Sequence, residues 1–114
     1  MNIPFPKPER AIKDKAYLGR VAQLPCVICV EYGMRQNSQT EVHHCKSGRY
    51  GQSRDHDRRS IPLCHSHHHK LRAYPGDEAK IGFHNGQETW EAEYGVDYHW
   101  INWVENRLGM ETEQ

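Results

Sequence analysis

"LCHSHHHK", residues 63–70, puts one cysteine and four histidines into eight positions of a 114-residue chain. Its cluster is internal, interrupted and flanked by apolar residues, which argues against a tag. Cys64-x-x-His67 has the spacing of a metal-binding pair. A second pair, Cys26-x-x-Cys29, lies upstream in "PCVIC". Each pair can occupy one edge of a tetrahedron, so Cys26, Cys29, Cys64 and His67 are expected to form a structural Zn2+ site. His65 or His69 could replace His67 as fourth ligand, but neither keeps the two-residue gap. Four unligated side chains in a reduced protein are the bland alternative.

The composition suits a metal-stapled fold. Only 36% of residues are hydrophobic and mean hydropathy is −0.97. A chain this short and polar buries a thin core, which a metal would supplement. No apolar run approaches the ~20 residues of a membrane span, and "MNIPFPKPER" lacks the form of a secretory signal. A cytoplasmic protein with reduced cysteines is therefore expected. The net charge of zero hides an asymmetry: residues 1–76 hold 13 Lys/Arg against 6 Asp/Glu, and residues 77–114 hold 2 against 9. A basic half beside an acidic half suggests a polyanion-binding face.

Around the metal pairs, residues 1–13 read as a proline-rich extended arm and residues 14–114 as one domain, with a zinc-bound core at 26–72 and C-terminal helices within 77–109. "KAYLGRVAQL", after Asp14 as N-cap, predicts a short amphipathic helix that Pro25 stops. "TEVHHC" and "SIPLC" predict two strands joined by a long basic loop over 46–59. "HSHHHKLRAY" predicts a helix ended by Pro75-Gly76. "DEAKIGFH" could add a turn or a short helix. "GQETWEAEYG" and "DYHWINWVENRLG" predict two further helices, the last capped by Asp97 and stopped by Gly109. The aromatics of these helices are expected in the core, and Cys45 as a small buried filler.

His43-His44 in "TEVHHC" fits no structural site, because adjacent strand residues point to opposite faces. With His68 they can converge on a second centre beside the zinc. A Cys-x-x-Cys, His-His on a strand, a glycine-bearing basic loop, an aspartate and "IPLCHSHH" in this order resemble the HNH, or ββα-metal, endonucleases. The sequence is most similar to phage nucleases related to the recombination-enhancing, RecA-dependent nuclease. The likeness covers roughly residues 20–97, and its looser end is "FHNGQETWEAEYGVD", with His84, Gly86, Trp90, Gly95 and Asp97.

This resemblance implies a small α+β, zinc-stapled ββα-metal (His-Me finger) core with added N- and C-terminal helices. It implies His44 as general base, with His43 and His68 holding a catalytic Mg2+, Mn2+ or other divalent ion. Asp57 would ligate that ion or orient a histidine, and His84 is a further candidate ligand. Two positions depart from the pattern. Arg59 stands where the middle asparagine is usual, and Arg72 stands where the helix often carries another histidine. Imidazole, with an ordinary pKa near ~6.5, suits proton abstraction from water in phosphodiester hydrolysis, which would leave a 5′-phosphate and a 3′-hydroxyl. Lys46, Arg49, Arg54, Arg58 and Arg59 would contact DNA phosphates with little sequence preference. A recombinase filament as partner is implied by the resemblance alone. Two other readings compete: a non-catalytic zinc-stabilised nucleic-acid-binding module, and a metal-buffering protein, which the few cysteines disfavour.

Overall fold

Two strands form the frame on which everything else is hung. β1 (Thr40–His44) pairs antiparallel with β2 (Ser60–Cys64), with Thr40 opposite Cys64, His43 opposite Ile61 and His44 opposite Ser60. The computed structural model describes residues 13–48 and 56–109. Among these residues the sheet has two strands, so both are edges, and Pro62 opposite Val42 removes no ladder that a third strand would need. Every residue of β2 is buried, because helices pack over it. β1 is buried only at His43, which the strand's alternation turns to the face opposite His44.

Two helices precede the sheet. α1 (Lys15–Ala22) begins at Asp14, whose carboxylate accepts the Tyr17 N–H at 3.0 Å, and it buries Tyr17 and Val21. α2 (Val27–Glu31) begins at Cys26 and buries Val27, Ile28 and Cys29. The sequence reading missed α2. Its residues are few and mostly β-branched, so local propensity is poor and burial alone sustains it.

α3 (His65–His68) follows β2 directly, giving strand, strand and helix in sequence. It is a single turn rather than the helix predicted over 65–74. The amides of His69 and Lys70 both close onto the His65 carbonyl, and Lys70 takes a left-handed φ of 46°. Tertiary partners outcompete further turns. The Lys70 ammonium donates to the carbonyls of Glu78 and Lys80, while Ser66 donates to buried Asp77. Asp77 also accepts from Asn37 and pairs with Lys80.

The C-terminal segment begins with a 3-10 turn at Phe83–Asn85, followed by α4 (Gln87–Tyr94). A second 3-10 turn at Asp97–Trp100 leads into α5 (Ile101–Leu108), which ends at Gly109 with a left-handed φ of 70°. The expected cap at Asp97 is not made. Val96 precedes the 3-10 turn, and the Asp97 carboxylate is buried, accepting from His43 and from the Lys46 and Ser47 amides. A buried imidazole and two loop amides offer a carboxylate more than a solvent-facing helix end does.

The core joins Tyr17, Val21, Val27, Ile28, Ile61, Leu63, Phe83, Trp90, Tyr94 and Val104, with Cys45 at its edge. Trp90 ties the C-terminal segment to α3 by donating its indole N–H to the His67 carbonyl at 3.1 Å. The result is a small α+β fold. No helix among the described residues is long and apolar enough to cross a membrane. Apart from Lys13, the expected N-terminal arm lies outside the described residues.

Candidate metal centres and the imidazole cluster

The end of β2, the turn of α3 and the start of α2 meet at four side chains. The ligand atoms of Cys26, Cys29, Cys64 and His67 lie within 4.8 Å of one another, and all four residues are buried. Sγ of Cys29 and Cys64 are 3.9 Å apart. His67 Nδ1 stands 3.3 Å from the sulfur of Cys64, 3.5 Å from that of Cys26 and 3.7 Å from that of Cys29. Tetrahedral zinc bonds would give edges of about 3.8 Å between sulfurs and about 3.5 Å from sulfur to nitrogen. The spacing thus fits such an ion, and the four residues can hold a metal such as zinc.

Charge around the group is consistent with this. Burial pushes the Cys26 thiol far up, whereas contacts from Cys26 and Cys29 push Cys64 far down, so the sulfurs compete for protons that a bound cation would displace. Lys80 is buried yet holds its charge. Burial works against the ammonium, but Asp77 at 2.9 Å and the Cys29 and Cys64 sulfurs keep its pKa above the ordinary lysine value. A Zn2+ with three thiolates would carry a net negative charge that Lys80 offsets.

A second group lies on the other side of α3. His43, His68 and His84 present ring nitrogens within 4.8 Å of one another, two of the rings being buried and His84 exposed. β1 supplies His43, α3 supplies His68, and the first 3-10 turn supplies His84. His43 packs on Phe83 at 4.4 Å between centroids and donates from Nε2 to Asp97 Oδ2 at 2.7 Å. That leaves its Nδ1, buried and without a hydrogen-bond partner. His68 donates from Nδ1 to Glu41 Oε1 at 2.8 Å.

Burial pushes the His43 pKa down against the opposing pull of Asp97. It takes His68 to about 4 against Glu41. His84 is also lowered, first by burial and then by the neighbouring His43 and His69 rings. Asp97 remains ionised: burial opposes its charge, but bonds from His43, Lys46 and Ser47 hold its pKa below the ordinary value. Neutral imidazoles backed by carboxylates are the usual surroundings of a metal-ligating histidine. Three nitrogen donors suit Mn2+ or a later transition ion better than Mg2+, which prefers oxygen and water.

His44 stands apart from that cluster on the opposite strand face, with its side chain 24% exposed. It donates from Nε2 to Asp57 Oδ1 at 2.9 Å, while Asp57 Oδ2 accepts the Asp14 N–H at 2.6 Å. Burial raises the Asp57 pKa, but the Asp14 amide and His44 outweigh it and hold the carboxyl ionised. The structure therefore places Asp57 on His44 and outside the three-imidazole group.

Among the basic residues, Arg58 is exposed, donates from Nε to Asp14 Oδ2 at 2.9 Å and lies over the Tyr17 ring. Arg59 is half-buried, and its carbonyl accepts the Cys45 N–H. Lys46 is half-buried, with its amide on Asp97. Arg49 and Arg54 lie outside the described residues.

His65 and His69, the alternatives to His67 as fourth ligand, lie outside the Cys3His group and have partners of their own. His65 is half-buried between Glu41 and the Leu71 amide, and His69 stacks on His84 with centroids 4.5 Å apart. Glu41 went unnoticed in the sequence. Its signal was its place two residues before His43, on the same face of the strand.

No curated protein and no solved structure matches the chain. A family model described as recombination enhancement, RecA-dependent nuclease matches residues 11–109, nearly the whole chain, and the protein belongs to that family.

Proposed function

We propose that the chain is an HNH-type (ββα-metal) endonuclease that hydrolyses DNA phosphodiester bonds, with residues 14–114 as its single catalytic domain. The observation that carries this reading is the convergence of His43, His68 and His84, with the His44–Asp57 pair on the opposite face of the same strand. In it, His43, His68 and His84 hold one divalent ion, and His44 is the general base. Asp57 fixes the His44 proton on Nε2, leaving Nδ1 to accept a proton from water. Bound at the three imidazoles, the ion would stabilise charge on phosphate oxygens as a Lewis acid.

Lys46, Arg58 and Arg59, with Arg49 and Arg54 of the same loop, contact backbone phosphates. Such binding weakens with salt and ignores sequence. Arg59 cannot ligate a cation, so the third imidazole, His84, takes the place left by the missing asparagine. The Cys26, Cys29, Cys64 and His67 zinc site serves the fold. By its family name, a recombinase filament is the partner expected to present the substrate.

Plasmid nicking tests this. Zinc-loaded protein is expected to cut when Mn2+ is added and not when it is omitted. His68→Ala should lose at least ~100-fold in rate while keeping zinc and DNA binding. Equal cutting by both proteins would remove the assigned ion site. If neither cuts, even with a recombinase filament supplied, the non-catalytic nucleic-acid-binding module becomes the better account.

A further inference from the structure

His68 can serve the centre proposed above only if the correct ring nitrogen faces inward, and the residues that fix this lie outside the ligand set. The two oxygens of Glu41 are divided between two rings. Oε1 accepts from His68 Nδ1 at 2.8 Å and Oε2 from His65 Nδ1 at 2.9 Å. On the far side of His65, Nε2 meets the Leu71 amide at 3.0 Å. A backbone N–H can only donate, so this nitrogen carries no proton and the His65 proton sits on Nδ1, facing Glu41. An ionised carboxylate can only accept. His68 is thereby held with its proton on Nδ1 and its Nε2 lone pair available to the centre.

We propose that Glu41, clamped by His65, is a positioning residue for the divalent ion. It fixes the tautomer and rotation of His68 and places a negative charge behind a set of three neutral imidazoles. The proposal rests on the three-imidazole reading of the preceding section. The Glu41 side chain is 36% exposed, and a carboxylate on an edge strand would otherwise sample several rotamers. His65 removes that freedom. The abrupt end of α3 supplies the remaining constraint, because left-handed Lys70 turns the Leu71 amide back onto His65. Lys70 is the non-glycine residue with positive φ among the described residues, and its ammonium is held by two carbonyls. Leu71, Lys70, His65 and Glu41 thus form one linked support behind His68.

The same bonds would also arise in a plain staple between β1 and α3, and the two roles differ in what they change. A staple sets unfolding; a positioning group sets ion affinity. Zinc-loaded wild type, Glu41→Gln, Glu41→Ala, His65→Ala and His68→Ala are to be titrated with Mn2+, with free ion read by electron paramagnetic resonance and urea unfolding run in parallel. Mn2+ is a weak competitor for thiolate sites, so zinc should stay in place. Glu41→Ala is expected to weaken Mn2+ binding by about 10–100-fold, and His65→Ala by less. Glu41→Gln keeps the shape but turns an amide donor toward one of two ring N–H groups, and it should weaken binding as well.

A folded Glu41→Gln protein that binds Mn2+ like wild type overturns the proposal, as does a variant whose unfolding midpoint falls without loss of affinity. Glu41→Gln decides the matter if Glu41→Ala fails to fold. The ion-site reading fails differently: wild type would then bind Mn2+ no better than His68→Ala, and the proposal would fall with it.

Discussion

His44→Ala is expected to lower single-turnover DNA cleavage by about 10²–10⁴-fold while leaving zinc content, DNA binding and the unfolding midpoint close to wild type. The fold should tolerate the change because the side chain is half-exposed and lies on an edge strand, outside the core. Its loss removes a proton acceptor and no packing of consequence. Equal cleavage by variant and wild type, with both proteins pure and zinc-loaded, would move the base elsewhere.

Asp57→Asn is a sharper companion. Asp57 Oδ2 accepts a backbone amide from Asp14, and Oδ1 accepts from His44. An asparagine there can satisfy the Asp14 N–H with its carbonyl, which turns its amide N–H toward His44 Nε2. That nitrogen must then accept, so the imidazole proton moves to Nδ1 and the ring can no longer take one from water. Asp57→Asn should therefore approach the activity loss of His44→Ala, with an unfolding midpoint that stays within a few degrees of wild type, because the shape is unchanged. Cleavage at the wild-type rate would show that Asp57 does not set the His44 tautomer.

The second large effect is on folding. Cys64→Ala, or removal of zinc by a chelator, should abolish cooperative unfolding. Structural zinc contributes apparent binding free energies of about 10–16 kcal/mol, against a net stability of about 5–15 kcal/mol for ordinary domains. Cys64 also stands at the junction of β2 and α3, as the last residue of the strand and the N-cap of the helix. Without the ion, nothing would tie the three buried sulfurs and the imidazole together. The measurement is circular dichroism with thermal unfolding, zinc-loaded and zinc-stripped. A sharp transition at the wild-type temperature in Cys64→Ala would mean that the core stands without the metal.

The spacing of Cys26, Cys29, Cys64 and His67 already implied that these residues meet, because two short-range pairs can close only a few geometries. The strands, α1 and α4 were also legible: β-branched alternation, an Asp14 cap and aromatic spacing are local signals that the tertiary structure reinforces. Convergence across distance was not legible. Asp97 reads as a helix cap because Asp before an amphipathic run usually is one. Only the folded chain brings His43 and two loop amides, some 50 residues away, to its carboxylate. Similarly, the histidine-rich run looks long enough for a helix of ten residues, yet Lys70, Ser66 and Asp77 end it after one turn.

Glu41 and His65 illustrate the same division. The place of Glu41 two residues before His43 puts it on the same strand face, but only the folded chain brings the His65 and His68 rings to its two oxygens. Sequence alone determined which metal-binding donors were available and how near neighbours were spaced, since donor type and spacing are local properties. Tertiary structure decided which nitrogen of the His43, His44, His65 and His68 rings carries the proton, because a tautomer is set by partners that only long-range packing brings within hydrogen-bonding distance.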